Sequence, residues 1–236
     1  VRVYYNYSSG NWISTWSSTN RFSGSAAANA SYGEIRARAD GTYSGWGDSF
    51  SVAGSEAFAI STETLTFTSP TVTNGSVGYV RFTFTVEGSM IHTGTAGGQV
   101  GTKSFYKLGN SSSYPLIEAA VSLNFGPSFW PYSGPGRDGF TLTNTSIQGQ
   151  GAFQTEYLPF IFGQPSDLRV GLLSYYIPGR DTAGNANFAI KLTGISVYNQ
   201  TNFVATSGSG SSYTPDGVLL ANPNIFIAGQ ALDAGV

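Results

Sequence analysis

The chain has 236 residues, no cysteine, one histidine and a formal net charge of −2 from 11 basic and 13 acidic side chains. Without cysteine it has no disulfide or thiolate metal site, and charge this sparse leaves neither a basic footprint for nucleic acid nor a polybasic patch for a membrane surface. Charged residues are 10% and aromatics 14%, which excludes a highly charged disordered chain, and no apolar run is long enough to span a bilayer.

Taken in chain order, Val1, Val3, Tyr5 and Tyr7 alternate with Arg2, Tyr4, Asn6 and Ser8, which predicts an opening strand. The chain starts directly on this segment with no leader, so a processed N-terminus is expected. Ser9–Ser31, rich in Ser, Gly, Asn and Ala and carrying Trp12 and Trp16, reads as loop with one short strand. Glu34–Ala39 and Phe50–Ile60 read as strands diluted by Ala and Gly. Leu65–Phe67 and Val80–Val86 then flank a segment ending in Asn74-Gly75-Ser76. Val80, Phe82, Phe84 and Val86 alternate with Arg81, Thr83, Thr85 and Glu87, and Asn-Gly suits a tight turn, so the two runs are expected to pair as a hairpin.

Ser104–Leu108 is a further strand, and Leu116–Phe125 another, with Ile117, Ala119, Val121, Leu123 and Phe125 on one face. Phe140–Leu142, Phe160–Phe162 and Leu168–Ile177 follow. In Phe188–Val197 the apolar residues change parity at Thr193-Gly194, the mark of a β-bulge. Pro135-Gly136-Arg137-Asp138 and Pro178-Gly179-Arg180-Asp181 share a pattern that suits two type II turns. Gly217–Leu220 and Ile225–Ile227 close the chain around Asn222-Pro223-Asn224. Apolar residues never recur at helical spacing for more than about one turn, so the fold class is all-β, an antiparallel β-sandwich of jelly-roll-like kind with little or no helix. The flexible run Ser207–Ser212 sets the expected organisation: a single sandwich domain over 1–213 and a C-terminal strand pair or extension over 214–236 that packs on a neighbour.

No residue set stands out as catalytic. His92 is the sole histidine and no nucleophile elbow is present, so it reads as a strand-edge or loop residue. One histidine without cysteine makes zinc a poor fit. Glu56, Glu63, Glu87, Glu118 and Glu156 are the glutamates from which a hydrolase would draw a facing carboxylate pair, yet Glu63 and Glu87 sit at hairpin ends and Glu118 on a polar strand face. Asp181–Asn187 clusters oxygen side chains around a glycine without the order of a calcium loop, and reads as a polar turn. No cofactor and no metal are expected. The densest aromatic cluster, Phe125 to Tyr132, offers Phe129, Trp130 and Tyr132, and with Trp12 these are the candidates for stacking on sugar rings, the alternative being that they plug the sandwich. Asn6, Asn29, Asn74, Asn110, Asn144 and Asn199 head Asn-x-Ser/Thr triplets, which matter only where a host glycosylates exported proteins.

Ser25-Ala-Ala-Ala-Asn-Ala-Ser-Tyr-Gly-Glu, Thr66-Phe-Thr-Ser-Pro-Thr-Val-Thr-Asn-Gly, Phe82-Thr-Phe-Thr-Val-Glu-Gly and Leu192-Thr-Gly-Ile-Ser-Val-Tyr, followed by Phe203 to Tyr213, resemble exported bacterial β proteins of the PEP-CTERM type over Ser25 to Tyr213. The resemblance implies secretion and a surface or matrix setting in exopolysaccharide-producing bacteria, and it carries over no catalytic residue. A Pro-Glu-Pro sorting tail does not follow Tyr213, so the expectation is a tail removed by cleavage or a different mode of release or assembly. Together these features point to a secreted, non-enzymatic structural subunit of a filament or matrix. It would assemble with copies of itself by donation of the strand bearing Val1, Val3, Tyr5 and Tyr7. Two rivals are a carbohydrate-binding module and a polysaccharide hydrolase on a jelly-roll scaffold.

Overall fold

The computed structural model describes residues 11–17, 21–31, 33–45, 53–131, 136–208, 212–213, 219–220, 226–227 and 230–231. Val1, Val3, Tyr5, Tyr7 and Tyr132 lie outside these residues, as does most of 214–236. The strands, in chain order, are β1 (Asn11–Ser17), β2 (Phe22–Ser31), β3 (Glu34–Tyr43), β4 (Ala53–Thr68), β5 (Val77–Ala96) and β6 (Gln99–Leu108). They continue with β7 (Tyr114–Ser122), β8 (Gly126–Pro131), β9 (Phe140–Leu142), β10 (Ser146–Gln154), β11 (Leu158–Ile161) and β12 (Pro165–Ile177). Last come β13 (Arg180–Val197), β14 (Val204–Ser207) and the two-residue strands β15 (Ser212–Tyr213), β16 (Leu219–Leu220), β17 (Phe226–Ile227) and β18 (Gln230–Ala231). One short 3-10 turn, Gly136–Gly139, is the sole helical element among the described residues.

Two antiparallel sheets pack face to face. The first runs β16-β15-β14-β4-β12-β6-β7-β8, with β1 also on β4, and the second runs β2-β3-β13-β5-β10-β9, with β11 also on β5. Their inner faces close over Leu65, Phe67, Phe82, Phe84, Phe153, Tyr176 and Phe188, all fully buried. The two sheets are joined by a bent ribbon. β5 passes into β6 through Gly97-Gly98, and β12 into β13 through Pro178-Gly179. The pairing crosses the bend almost unbroken, from Arg180↔Ala96 in one sheet to Ile177↔Gln99 in the other. Only bare backbone fits at this corner: a Cβ on Gly179 would lie 2.3 Å from the carbonyl carbon of Gly97.

At this end the sheets interlock through one ring. Gly24, Gly41 and Gly184 stand in register across β2, β3 and β13, and Gly184 pairs with His92 on β5. The row of missing side chains forms a trough that receives Tyr176 from the opposite sheet; a Cβ on Gly184 would sit 2.4 Å from the ring and one on Gly41 2.7 Å. Phe22 stacks on Tyr176 at 6.3 Å between centroids and His92 meets it edge-on at 6.1 Å. The Tyr176 hydroxyl donates to the Thr182 carbonyl at 2.9 Å, while the Thr182 hydroxyl accepts from the Gly179 amide at 2.8 Å, which ties the ring to the corner. Beside it the sheets approach closely enough for direct bonding: Ser55 Oγ donates to the Asp40 carbonyl at 2.8 Å and Ser174 Oγ to that of Ala37 at 2.9 Å. Ala37, Ala39, Ala57 and Ala59 make that approach sterically open.

Several sequence expectations change. Leu65–Phe67 and Val80–Val86 do not form a hairpin. β4 and β5 lie in different sheets, and Ser69–Ser76 carries the chain between them. Only Gly75 of the Asn-Gly pair has positive φ, +93°, with the Ser76 amide donating to the Thr73 carbonyl at 3.2 Å. That is a type II pattern rather than the mirror-image turn of a tight hairpin. Ser9–Ser31, expected as loop, holds β1 and β2, whose alanines and serines alternate in burial on β2 as a strand requires. The strand expected over Leu116–Phe125 ends at Ser122, and Phe125 stands 91% exposed in the following turn. Pro178-Gly179 is not a type II turn, since Gly179 lacks positive φ. The bulge at Thr193-Gly194 is present, as a register shift between Leu192 and Gly194.

The trough makes a direct stability prediction. Gly184→Ala forces its methyl into the Tyr176 ring and should cost about 1–3 kcal/mol, the usual range for overpacking. The denaturant midpoint checks it, and a shift below about 0.5 kcal/mol would mean that the ring moves aside freely.

Candidate functional site

Most of the described carboxylates are engaged in holding the fold. Arg36 bridges Glu34 and Glu87, Lys103 meets Glu118 at 2.7 Å, and Arg38 meets Asp40 at 3.2 Å. Thr64 donates to Asp167 at 2.6 Å, and the Gly45 amide donates to Asp181 at 2.7 Å. Asp181–Asn187, expected as a polar turn, is the start of β13, and no group of three His, Asp or Glu side chains among the described residues is placed to hold a metal. Glu56 and Glu118 flank Tyr175 on the outer face of the first sheet, three strand steps apart. That is roughly 14 Å at about 4.8 Å per step, wider than the roughly 5–9.5 Å of a glycosidase pair.

His92 corrects the strand-edge reading. It is fully buried, inward-facing beside Met90 on β5, and neither ring nitrogen reaches a partner in good hydrogen-bond geometry, the Val121 backbone being only a weak neighbour. Burial pushes its imidazole below the ordinary value, and the Val121 backbone offsets only part of this. The Tyr176 hydroxyl is pushed up to about 12 by burial, opposed by its bond to Thr182. His92 is therefore a neutral spacer in the core, and the signal was available: it keeps the parity of Val80, Phe82, Phe84 and Val86 once Gly88 and Met90 are counted.

The proposed sugar-stacking residues separate. Phe129 is 3% exposed and packs on Phe140 at 4.8 Å, so it belongs to the core and offers no face to a ligand. Trp130, the next residue on β8, points the other way and is 65% exposed opposite Glu118. Trp12 pairs through its backbone with Phe58 on β4, and its side chain is outside the described residues, like Tyr132.

A larger aromatic surface lies elsewhere. Val77, Tyr79, Tyr157 and Tyr198 are half of the eight large apolar side chains exposed among the described residues, and they meet at one end of the outer face of the second sheet. Tyr79 and Arg81 point outward from β5, on the parity opposite to Val80 and Phe82. Tyr198 reaches this face because of the bulge. Phe188, Ile190 and Leu192 point inward at even positions, and after the shift at Gly194 the inward residues are Ile195 and Val197. An unbroken strand would bury Tyr198. Its amide donates to the Tyr79 carbonyl at 2.9 Å, which extends the pairing with β5.

Tyr157 is set by Thr155, whose amide donates to the Phe82 carbonyl at 2.9 Å and whose hydroxyl accepts from the Phe82 amide at 3.0 Å. This clamp anchors the step from β10 to β11 and projects Tyr157 outward. The rings of Tyr157 and Tyr198 lie edge to face at 5.4 Å and 79°. The Arg81 guanidinium carbon sits 4.2 Å from the Tyr157 centroid, a cation–π pair, and Arg81 Nη1 is 3.4 Å from Gln154 Oε1. Sequence reading missed this set because its members come from three segments that only the sheet brings together.

A scan against protein-family models finds no match, and no curated protein is similar to this chain at a significant level. No described helix is long and apolar enough to cross a membrane.

The state of His92 makes stability depend on pH. Below about pH 6.5 the unfolded chain gains a proton at His92 that the folded core excludes. Stability therefore falls as pH drops from about 6.5 toward the lower folded-state value. Urea midpoints taken from about pH 7.5 down to 5 should decline less in His92→Phe than in the parent protein, and equal declines would overturn the neutral-spacer assignment.

Proposed function

We propose that the protein is a secreted, non-enzymatic carbohydrate-binding β-sandwich of a cell surface or exopolysaccharide matrix, with Tyr79, Tyr157 and Tyr198 as its sugar-stacking platform. The supporting observation is the gathering of three exposed tyrosines, two of them 48% and 56% exposed, at one end of a sheet face, Tyr79 on β5 and Tyr157 and Tyr198 on the segments that flank it. Aromatic faces take the C–H side of a pyranose, and the neighbouring hydroxyl and amide side chains of Thr83, Gln154 and Ser196 suit its hydroxyls. A face whose rings already pack on one another loses little entropy on binding. The platform takes over the role first assigned to Phe129, with Trp130 a separate exposed ring on the opposite sheet.

Self-assembly by strand donation is compatible with this reading. Its donor, Val1–Ser8, lies outside the described residues. At the β8 edge Pro127 and Pro131 remove two ladder donors, which disfavours that edge as the acceptor.

A glycan array of neutral and acidic polysaccharides tests the proposal. Binding should appear with the parent protein and weaken about tenfold or more in Tyr198→Ala, with the thermal melt unchanged because the ring is exposed. Absence of binding across both polymer classes, or binding indifferent to Tyr198→Ala, would remove the reading.

A further inference from the structure

The platform contains a cation with no neutralising partner among the described residues. Among the described residues no carboxylate lies within salt-bridge range of Arg81, whose polar contact is the long one to Gln154. Arg81 Nε is buried without a partner against the tyrosine surface. Every other described arginine on this sheet face stands beside a carboxylate, as Arg36 does with Glu34 and Glu87 and Arg38 with Asp40. Glu156 is exposed next to Tyr157 in the chain, yet it forms no ion pair with Arg81.

The guanidinium lies over the Tyr157 ring, and of its donors Nη1 alone has a hydrogen-bond partner among the described residues. A planar fork placed in this way is suited to a carboxylate, which it can meet with two parallel bonds. The half-exposed rings of Tyr79 and Tyr198 flank it. A sugar ring laid on these rings would bring a carboxylate on its own carbon skeleton to Arg81.

We infer that the platform selects carboxylated sugars, and that its ligand is an acidic polysaccharide built from uronate units. This rests on the carbohydrate-binding reading and narrows it. The face beyond the platform favours a glycan over a protein partner: Thr83, Thr85, Gln154 and Ser196 continue it with hydroxyl and amide groups rather than the apolar centre of a protein interface.

The test compares polygalacturonate with the same polymer after reduction of its carboxylates to alcohols, by calorimetric titration of the full chain. The intact polymer should bind about tenfold or more tightly than the reduced one, and added salt should narrow the gap. Arg81→Gln should abolish the preference while leaving the weaker binding of the reduced polymer in place. If Arg81→Gln fails to fold, Arg81→Lys serves instead and should keep the attraction but lose about half of the preference, having no bidentate fork. Equal affinity for both polymers overturns the carboxylate inference and leaves the sugar platform standing. Binding of neither overturns both. Self-association of the protein that is lost in Tyr198→Ala, with no polymer bound, would make the patch a protein contact and overturn both as well.

Discussion

The seating of Tyr176 in a row of glycines is the contact on which the rest of the sandwich depends. Two sheets can face each other at many spacings and angles. A ring that enters a slot bounded by Gly41 and Gly184, stacks on Phe22, which itself lies over Gly24, and abuts His92 allows very few. Thr182 then binds both the ring's hydroxyl and the amide of Gly179, so the depth of the ring and the bend of the ribbon are set together. The serine hydroxyls of Ser55 and Ser174 bond across the gap only because the ring and the neighbouring alanines bring the sheets that close. Their bonds also satisfy polar groups that would otherwise be costly at this depth.

This arrangement explains which parts of the fold were legible in the residues. Strand identity was legible wherever one face is apolar and the other polar, as in Val80–Glu87 and in Leu168, Val170 and Leu172. Partner choice was not. Period-two alternation says that Leu65–Phe67 and Val80–Val86 each need a core, and both receive the same core from opposite sides. The low apolarity of Ser9–Ser31 looked like loop because strand reading expects large β-branched residues. Here small residues are what the spacing requires, and alanine is the side chain that fits.

The site was legible in part. Strand parity alone separates Phe129 from Trp130, since adjacent residues on a strand face opposite ways. The bulge at Gly194 was visible, and its consequence for Tyr198 followed from counting past it. What no linear reading supplies is the meeting of Tyr79, Tyr157 and Tyr198, which are contributed by the start of β5, the step before β11 and the turn after β13. Their proximity is a property of the pairing, and so is the isolation of Arg81 from the acidic side chains that other arginines on the sheet obtain.

The bent ribbon has a kinetic consequence. Ala96 pairs with Arg180 and Gln99 with Ile177, so the central pairing closes a loop that contains β6 through β12. Such long-range closure must be reached before its contacts reward it, which makes folding slow. Unfolding is obstructed by the same geometry, because opening either sheet at the corner strains the other through a shared pair of strands. In a protein built this way the barrier to unfolding, rather than the equilibrium alone, governs how long the native shape persists.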